Sequence, residues 1–373
     1  MKSQMQSQMQ NHMKLTIPIK KMIQTQCHFF ETESQLLQHL ENKFLNSVLI
    51  FDERFQKNKF VKKFPNRFAV QSGETTKSLE SLSHFLMELS LKKIDAISKN
   101  DLSFVAMGGG SIGDFAGFVA SIYKRGCPLI QIPTTWLAAI DSSHGGKNAL
   151  NLKSKNQIGT IHYPFEVLIC RELLREQPTE LMISALGEVV KSGFLKPSLF
   201  KKIKSLEILE FEDFFKLVPS CIEIKNFYLK KDPFEINGDR FFLNLGHTVG
   251  HGLEAHFRLN HGMAVLCGLE FMLRWSIQKK YIQKKTVLKL IPKNLVTVLR
   301  NALKQQKISY FKMINDRKFM EYILADKKRD KKNHIKEVFI FEKECRIVLI
   351  PIGEFEVERQ RQTKEGEFGS LLF

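Results

Sequence analysis

No two cysteines of this chain stand in a CxxC spacing. Cys27, Cys127, Cys170, Cys221, Cys267 and Cys345 are scattered along the sequence. The scatter excludes a cysteine-built zinc ribbon and a disulfide framework, and it points to reduced thiols in a cytoplasm. No run of 18 apolar residues occurs, which excludes a spanning helix and makes a membrane partner unexpected. The opening MKSQMQSQMQNHMK lacks the apolar stretch of a secretory signal. Residues 1–20 read as a disordered lead-in, with Met13 an alternative start. Acid is scarce: 39 Asp and Glu face 57 Lys and Arg, a formal net charge of +18. No RNP-like, KH-like or Cys/His-finger pattern accompanies that charge. Clusters such as Lys327-Lys328-Arg329 therefore read as solvated surface, and no nucleic-acid partner is expected. Apolar residues are plentiful, at 43% with 31 Phe, and 373 residues suffice for two domains.

The order of segments sets the fold class. "SVLIFD" (47–52) reads as a strand ending in an acid, and "FAVQSGETTKSLESLSHFLMELSLKK" as strand, glycine turn and amphipathic helix. "DLSFVAMGGG" is a strand and glycine turn followed by the helix "GDFAGFVASIYKRG", and "CPLIQIPTT" is another buried strand. Alternating strands and helices indicate an α/β domain with a mainly parallel sheet, assigned to 21–178. Helical periodicity dominates after that, in "PTELMISALGEVVKSGFL", "FEDFFKLVPSCIEIKNFYLKKD", "NLGHTVGHGLEAHF" and "HGMAVLCGLEFMLRWSIQKKY". A mostly helical second domain is assigned to 179–355, ending in a short strand within "KEVFIFEKECRIVLIPIG". Residues 356–373 read as a loose charged tail.

Four blocks carry chemistry. Gly108-x-Gly110-x-x-Gly113, between a strand and a helix, has the form of a dinucleotide turn, in which backbone amides approach a diphosphate. It is not a first-βαβ fingerprint. It lies a hundred residues into the chain, and the next acid after Asp114 is Asp141. "DSSHGGKNALNLKSKNQIGT" holds Asp141, Lys147, Lys155 and Asn156 with few large apolar side chains, so it is an exposed loop or a polar site. In "ALGEVVKSG", Glu188 and Lys191 share one helical face among apolar neighbours, and a buried charge needs a partner or a metal. In "GHTVGHGLEAHFRLNHGMAV", His247 and His251 stand at i,i+4 and His261 follows. Imidazoles at that spacing turn toward one ion, although Thr248 occupies the place of the metalloprotease glutamate. Glu188 is the natural third ligand, but spacing does not single out which two histidines complete the set. A dinucleotide, a divalent metal and an anion together suggest a hydride-transfer step.

Read together, "SGETTKS", "GGGSIGDFAGFVAS", "YKRG", "IPTTWLAAIDSSHGGK", "KNQIGT", "GEVVKSG", "LNLGHTVGH" and "HGMAV" occur in the order found in the 3-dehydroquinate synthase family of sugar-phosphate cyclases, which the chain resembles over roughly 47–345. The resemblance implies zinc (or cobalt) on Glu188, His247 and His261, with His251 moving protons. It implies NAD+ against Asp52, Glu74, Lys77, Gly109, Gly110, Ser111, Asp114, Thr134, Thr135 and Lys155. Substrate contacts follow as Asp141, Lys147, Asn156, Lys191, Lys225, Arg240, Asn244 and either Lys327 or Lys328. Arg125 of "YKRG" would reach a neighbouring subunit's phosphate, which implies a homodimer. Glu235 matches the general base, and His251, Glu235, Lys147 and Lys191 form the catalytic set. The family reaction converts 3-deoxy-D-arabino-heptulosonate 7-phosphate, a phosphorylated sugar acid, to 3-dehydroquinate and phosphate in the shikimate pathway of aromatic amino acid biosynthesis. Hydride removal acidifies the neighbouring C–H and phosphate leaves by β-elimination. The hydride then returns, the ring opens and an intramolecular aldol step closes the carbocycle.

The chain departs from the family pattern in places. Asn148 replaces the usual Thr after the "GGK" lysine, and Ser154 a Gly. Trp136 stands for a Leu beside the cofactor threonines, and Cys170 for an Asp after the "VLI" strand. "KKDPFEINGDR" is one residue longer than usual. Alternative readings are a sister cyclase of the 2-deoxy-scyllo-inosose or valiolone type, a metal-dependent alcohol or glycerol dehydrogenase, and a basic nucleic-acid binder on an enzyme fold.

Overall fold

A computed structural model describes residues 24–205, 210–305, 309–316, 318–325, 333–366 and 370–372. The expected lead-in at 1–20 and the lysine pair Lys327 and Lys328 lie outside the described residues. Strands β1 (Gln26–Phe30), β2 (Ser47–Asp52), β3 (Asn66–Val70), β4 (Ser103–Gly108) and β5 (Leu129–Pro133) come first, then a hairpin of β6 (Lys147–Leu150) and β7 (Ile158–Ile161), then β8 (Glu166–Cys170). Six of them form one sheet in the order β1-β8-β5-β4-β2-β3, each neighbouring pair parallel. Strands β2, β5 and β8 are buried along their whole length, as a sheet covered on both faces requires. From β2 the chain moves outward to β3; from β4 it moves the other way, to β5. The switch point therefore lies between β2 and β4, where an open α/β sheet offers a crevice beyond its carboxyl ends.

Helices α1 (Leu79–Leu91), α2 (Gly110–Ile122) and α3 (Trp136–Ile140) accompany these strands. Ser78 caps α1, its hydroxyl accepting from the Ser81 N–H at 3.0 Å. Helix α2 packs on β4 and on the β6–β7 hairpin, and a Cβ at Gly117 would collide with the Asn148 amide. The segment expected as a loop or polar site thus contains paired antiparallel strands. Asn148 fastens them, donating to the carbonyls of Gly146 at 2.8 Å and His162 at 3.0 Å. Trp136 follows Thr134 and Thr135 directly, and its ring turns into the core. It packs edge-on against Phe211 and Phe214, with centroids 5.2 and 4.8 Å away, and joins the sheet layer to the helices.

Those helices are α4 (Thr179–Leu195), α5 (Phe211–Lys231), α6 (His247–Phe257) and α7 (His261–Gln278). Helices α4 and α7 are buried almost all round. They cross so closely that a Cβ on Gly187 would meet the Gly262 carbonyl, and one on Gly262 would meet that of Ser184. This approach places Glu188 beside His261. Gly246, at φ 76°, turns the chain into α6 and presents His247 at its first position.

Two sequence expectations fail here. The single strand near the end is an antiparallel pair, β9 (His334–Ile340) and β10 (Cys345–Pro351). The loose tail is instead helix α8 (Ile352–Glu365), with Leu371 and Leu372 buried after it. Gln362 donates to the Phe271 carbonyl at 3.0 Å, and the N–H groups of Leu371 and Leu372 donate to the Glu270 carboxylate at 3.0 and 2.9 Å. These polar contacts add to the packing of Phe355 on Phe271 and Trp275, with centroids 5.0 and 5.4 Å away, in holding this segment on α7. Among the described residues no helix is long and apolar enough to cross a membrane.

Candidate active site

Glu188 is almost fully buried on α4. Its Oε2 is held by Lys191 one turn on, while its Oε1 is buried without a hydrogen bond. That orphan oxygen lies 3.3 Å from His247 Nε2 and 3.4 Å from His261 Nε2. Ligands on a tetrahedral zinc with bonds of about 2.1 Å are separated by about 3.4 Å, so the three donors fit one ion. Each imidazole is oriented through its other nitrogen. His247 Nδ1–H donates to the Leu245 carbonyl at 3.2 Å, and His261 Nδ1–H to Glu254 at 3.0 Å. Sequence spacing left the histidine pair open; the structure clusters His247 and His261 with Glu188, and sets His251 beside them, 5.2 Å ring to ring from His247.

The electrostatics suit a cation. Burial opposes the Glu188 carboxylate, but Lys191 and the two histidines outweigh it and hold the group ionised well below its usual range. Burial and Lys191 push His247 down, toward the neutral imidazole a metal requires. Burial would also lower His261, yet Glu188 and Glu254 raise it to about 10. A metal must displace that proton, so affinity rises with pH.

The cluster opens into a cavity of about 580 Å³ between sheet and helices. Lys147, Lys191, Lys225 and Arg240 line it, with Asp141, Asn156, Glu235, Asn244 and His251. Lys225, near the middle of α5, bonds Asp141 at 2.7 Å, and Lys147 bonds Glu235 at 2.6 Å. Arg240 is buried and donates to the Gly145 carbonyl at 2.6 Å. Burial lowers Lys225, with Asp141 opposing, and Lys191 is raised because Glu188 outweighs its burial. A pocket so rich in fixed cations suits a substrate carrying carboxylate and phosphate.

The switch-point crevice adjoins this cavity through Asp114. No side chain caps α2 at Gly109, so its first-turn amides are available to a diphosphate. A Cβ on Gly109 would sit 3.1 Å from Thr135 Cγ2, and one on Gly110 3.3 Å from Ser142 Oγ, a cradle that larger residues would fill. Ser111 Oγ accepts from the Gly73 N–H at 3.1 Å, which docks the "GETTK" turn here. Lys77 bonds Asp114 at 2.7 Å and Asn156 at 2.5 Å, and Glu74 accepts from Asn151 at 2.7 Å. Asp52 ends β2 and Thr134 follows β5, both buried.

Some residues are placed elsewhere, and others were not foreseen. Arg125 lines a second cavity of about 560 Å³ with Lys99 and His162; Thr160 and Ile161 of β7 border both cavities. Lys155 reaches Glu254 at 3.0 Å. Burial works against the Glu254 carboxylate, but His261 and Lys155 bring it down to about 2. Sequence reasoning missed Glu254, though it follows His247 and His251 at helical spacing. It missed Arg54 too, which bonds Thr134 Oγ1 at 2.9 Å and Asp52 at 3.3 Å. It missed Asp232, whose carboxylate accepts from the N–H groups of Ile236, Asn237, Gly238 and Arg240 at 2.7–3.3 Å and so fixes the loop bearing Glu235.

A switch-point glycine turn adjoining a cation-lined cavity with a Glu-His-His cluster has the layout of a two-domain metalloenzyme with a nucleotide-binding sheet. Family patterns described as 3-dehydroquinate synthase N-terminal and 3-dehydroquinate synthase C-terminal match residues 67–184 and 185–329. The chain belongs to the 3-dehydroquinate synthase family. It is 36% identical over 271 residues to the 3-dehydroquinate synthase of Picrophilus torridus, covering 71% of this chain and 75% of the relative. It is 39% identical over 224 residues to that of Alkaliphilus metalliredigens, covering 58% and 62%. The match thus spans less than two thirds of the second relative's length. In fold it is similar to the 2-epi-5-epi-valiolone synthase from Streptomyces hygroscopicus subsp. jinggangensis 5008 with NAD+ and Zn2+ bound, at TM-score 0.77 and 17% identity, covering 94% of this chain and 99% of that one. A 2-deoxy-scyllo-inosose synthase complexed with carbaglucose-6-phosphate, NAD+ and Co2+ gives TM-score 0.71 and 20% identity, covering 90% and 96%.

Proposed function

We propose that the chain is a 3-dehydroquinate synthase, a phosphorus–oxygen lyase that converts 3-deoxy-D-arabino-heptulosonate 7-phosphate to 3-dehydroquinate and phosphate. The observation that carries this reading is the opening of the Glu188–His247–His261 cluster into the cavity that Lys147, Lys191, Lys225 and Arg240 line. Glu188, His247 and His261 would hold zinc or cobalt. The strand ends and turns at Asp52, Glu74, Lys77, Gly109, Gly110, Ser111, Asp114, Thr134, Thr135 and Lys155 would hold NAD+. When bound, the metal polarises the reacting hydroxyl and NAD+ takes up and later returns one hydride.

The chain's own residues do the rest. Lys191, Lys225 and Arg240 are fixed before substrate arrives, so binding costs little reorganisation of charge. Asn156 and Asn244 are placed to bond hydroxyls of the ring. Glu235, paired with Lys147 at the cavity wall, would take the proton released before elimination. His251 stands beside the metal ligands and shuttles protons to the reacting oxygens. The cavity would keep the ring in one conformer for the final carbon–carbon closure, a proximity effect.

We assign 21–178 as the cofactor domain and the helical region from 179 onward, α8 included, as the metal and substrate domain. Arg125, set apart from the catalytic cavity, would serve the phosphate of a second copy in a cytoplasmic homodimer. The function is tested by assaying phosphate release from the heptulosonate phosphate with trace NAD+ and zinc, before and after chelation. Turnover far beyond the NAD+ supplied, abolished by chelator, is expected.

A further inference from the structure

His261 depends on a side chain for its orientation, and His247 does not. His247 is buried and its Nδ1–H is taken by the backbone carbonyl of Leu245. His261, the first residue of α7, is partly exposed, and its Nδ1 faces Glu254 of the preceding helix. The opposite nitrogen faces Glu188 at 3.4 Å. The ring is thus held between two carboxylates, one on each nitrogen. Glu254 uses its second oxygen for Lys155 at 3.0 Å.

Lys155 belongs to the loop between β6 and β7, and that loop is tied at its other side to the turn after β3 and, through Lys77, to α2. Asn156 accepts from Lys77, which also grips Asp114, and Asn151 donates to Glu74. A continuous series of contacts therefore runs from the glycine-turn helix through Lys77 and the loop to Glu254 and His261.

We propose that Glu254 is a positioning residue that orients His261 for the metal and ties it, through Lys155, to the cofactor loop, so that dinucleotide and metal strengthen each other's binding. This rests on the metal and NAD+ positions given under the proposed function. A carboxylate behind a ligating imidazole fixes the tautomer and raises ligand basicity; losing it lowers metal affinity by about 10–100-fold. The Lys155 pair is half exposed and correspondingly weak, so the coupling that passes through it is about two- to fivefold. Linkage makes the effect reciprocal.

The test uses the full chain and measures zinc affinity by competition with a chromophoric chelator, with and without NAD+, alongside thermal melts to establish folding. Glu254→Ala is expected to weaken zinc by about 10–100-fold, and Glu254→Gln, which still accepts the His261 N–H, to recover most of that loss. Glu254→Ala should also lose the tightening that NAD+ brings, while NAD+ affinity measured without zinc is retained. The proposal is overturned by a folded Glu254→Ala protein whose zinc affinity stays within about twofold of the unaltered chain. NAD+-dependent tightening that survives Glu254→Ala overturns it equally. If the unaltered chain binds neither zinc nor NAD+, the functional reading is what falls, and the two failures are told apart.

Discussion

At Glu188 one buried carboxylate is divided between two tasks: one oxygen neutralises Lys191, and the other faces two imidazoles. Replacing His247 by Ala should leave the pair with Lys191 intact and remove a ligand. Bound zinc and phosphate release should then both fall by at least about a hundredfold, read by metal analysis and by the phosphate assay. Asp232 makes a different kind of prediction. Burial raises its carboxyl, but four backbone N–H groups outweigh that and hold it below the usual range. A depressed folded pKa contributes stability above the unfolded value of about 3.9, and that stability is lost as pH falls through the folded pKa. Asp232→Ala should therefore cost about 2 kcal/mol near neutrality, with the gap to the unaltered protein closing below about pH 4 in denaturant titrations.

At the scale of elements, the close crossing of α4 and α7 does for the site what no single ligand does, because it brings Glu188 and His261 together. Gly262→Ala inserts a methyl against the Ser184 carbonyl and should cost about 1–3 kcal/mol while also weakening zinc, read by urea unfolding and chelator competition. The elements that sequence made legible were those with continuous apolar burial or clear helical period: β2, β4, β5, α4 and α7. Strands β6 and β7 were not legible, because four-residue strands rich in Asn, Lys and Gly pair only through tertiary context. Helix α8 escaped because Phe355 is the one apolar residue on its buried face; the others, Glu358, Arg359 and Gln362, are read by hydropathy as solvent-exposed. Site residues lying in motifs were legible. Glu254 was not, since its role appears only when α7 folds back and brings His261 against it.

Across the whole molecule, the excess of base over acid has a use at one place. On the proposed function, the net charge of +18 would steer a substrate bearing carboxylate and phosphate toward the cavity that Lys147, Lys191, Lys225 and Arg240 line. Raising ionic strength should lower kcat/KM for phosphate release while leaving kcat nearly unchanged, since steering acts on encounter and not on chemistry. The sheet supplies the crevice, the helices supply the Glu188–His247–His261 cluster, and the cavity lies where the two layers meet. The central claim is that these parts run one closed redox cycle. It is tested most directly by following phosphate and NADH together, with zinc present and NAD+ far below substrate. The account predicts many phosphates released per NAD+, no accumulated NADH, and complete loss of turnover with chelator. NADH accumulating in step with product would contradict it and make the chain a dehydrogenase.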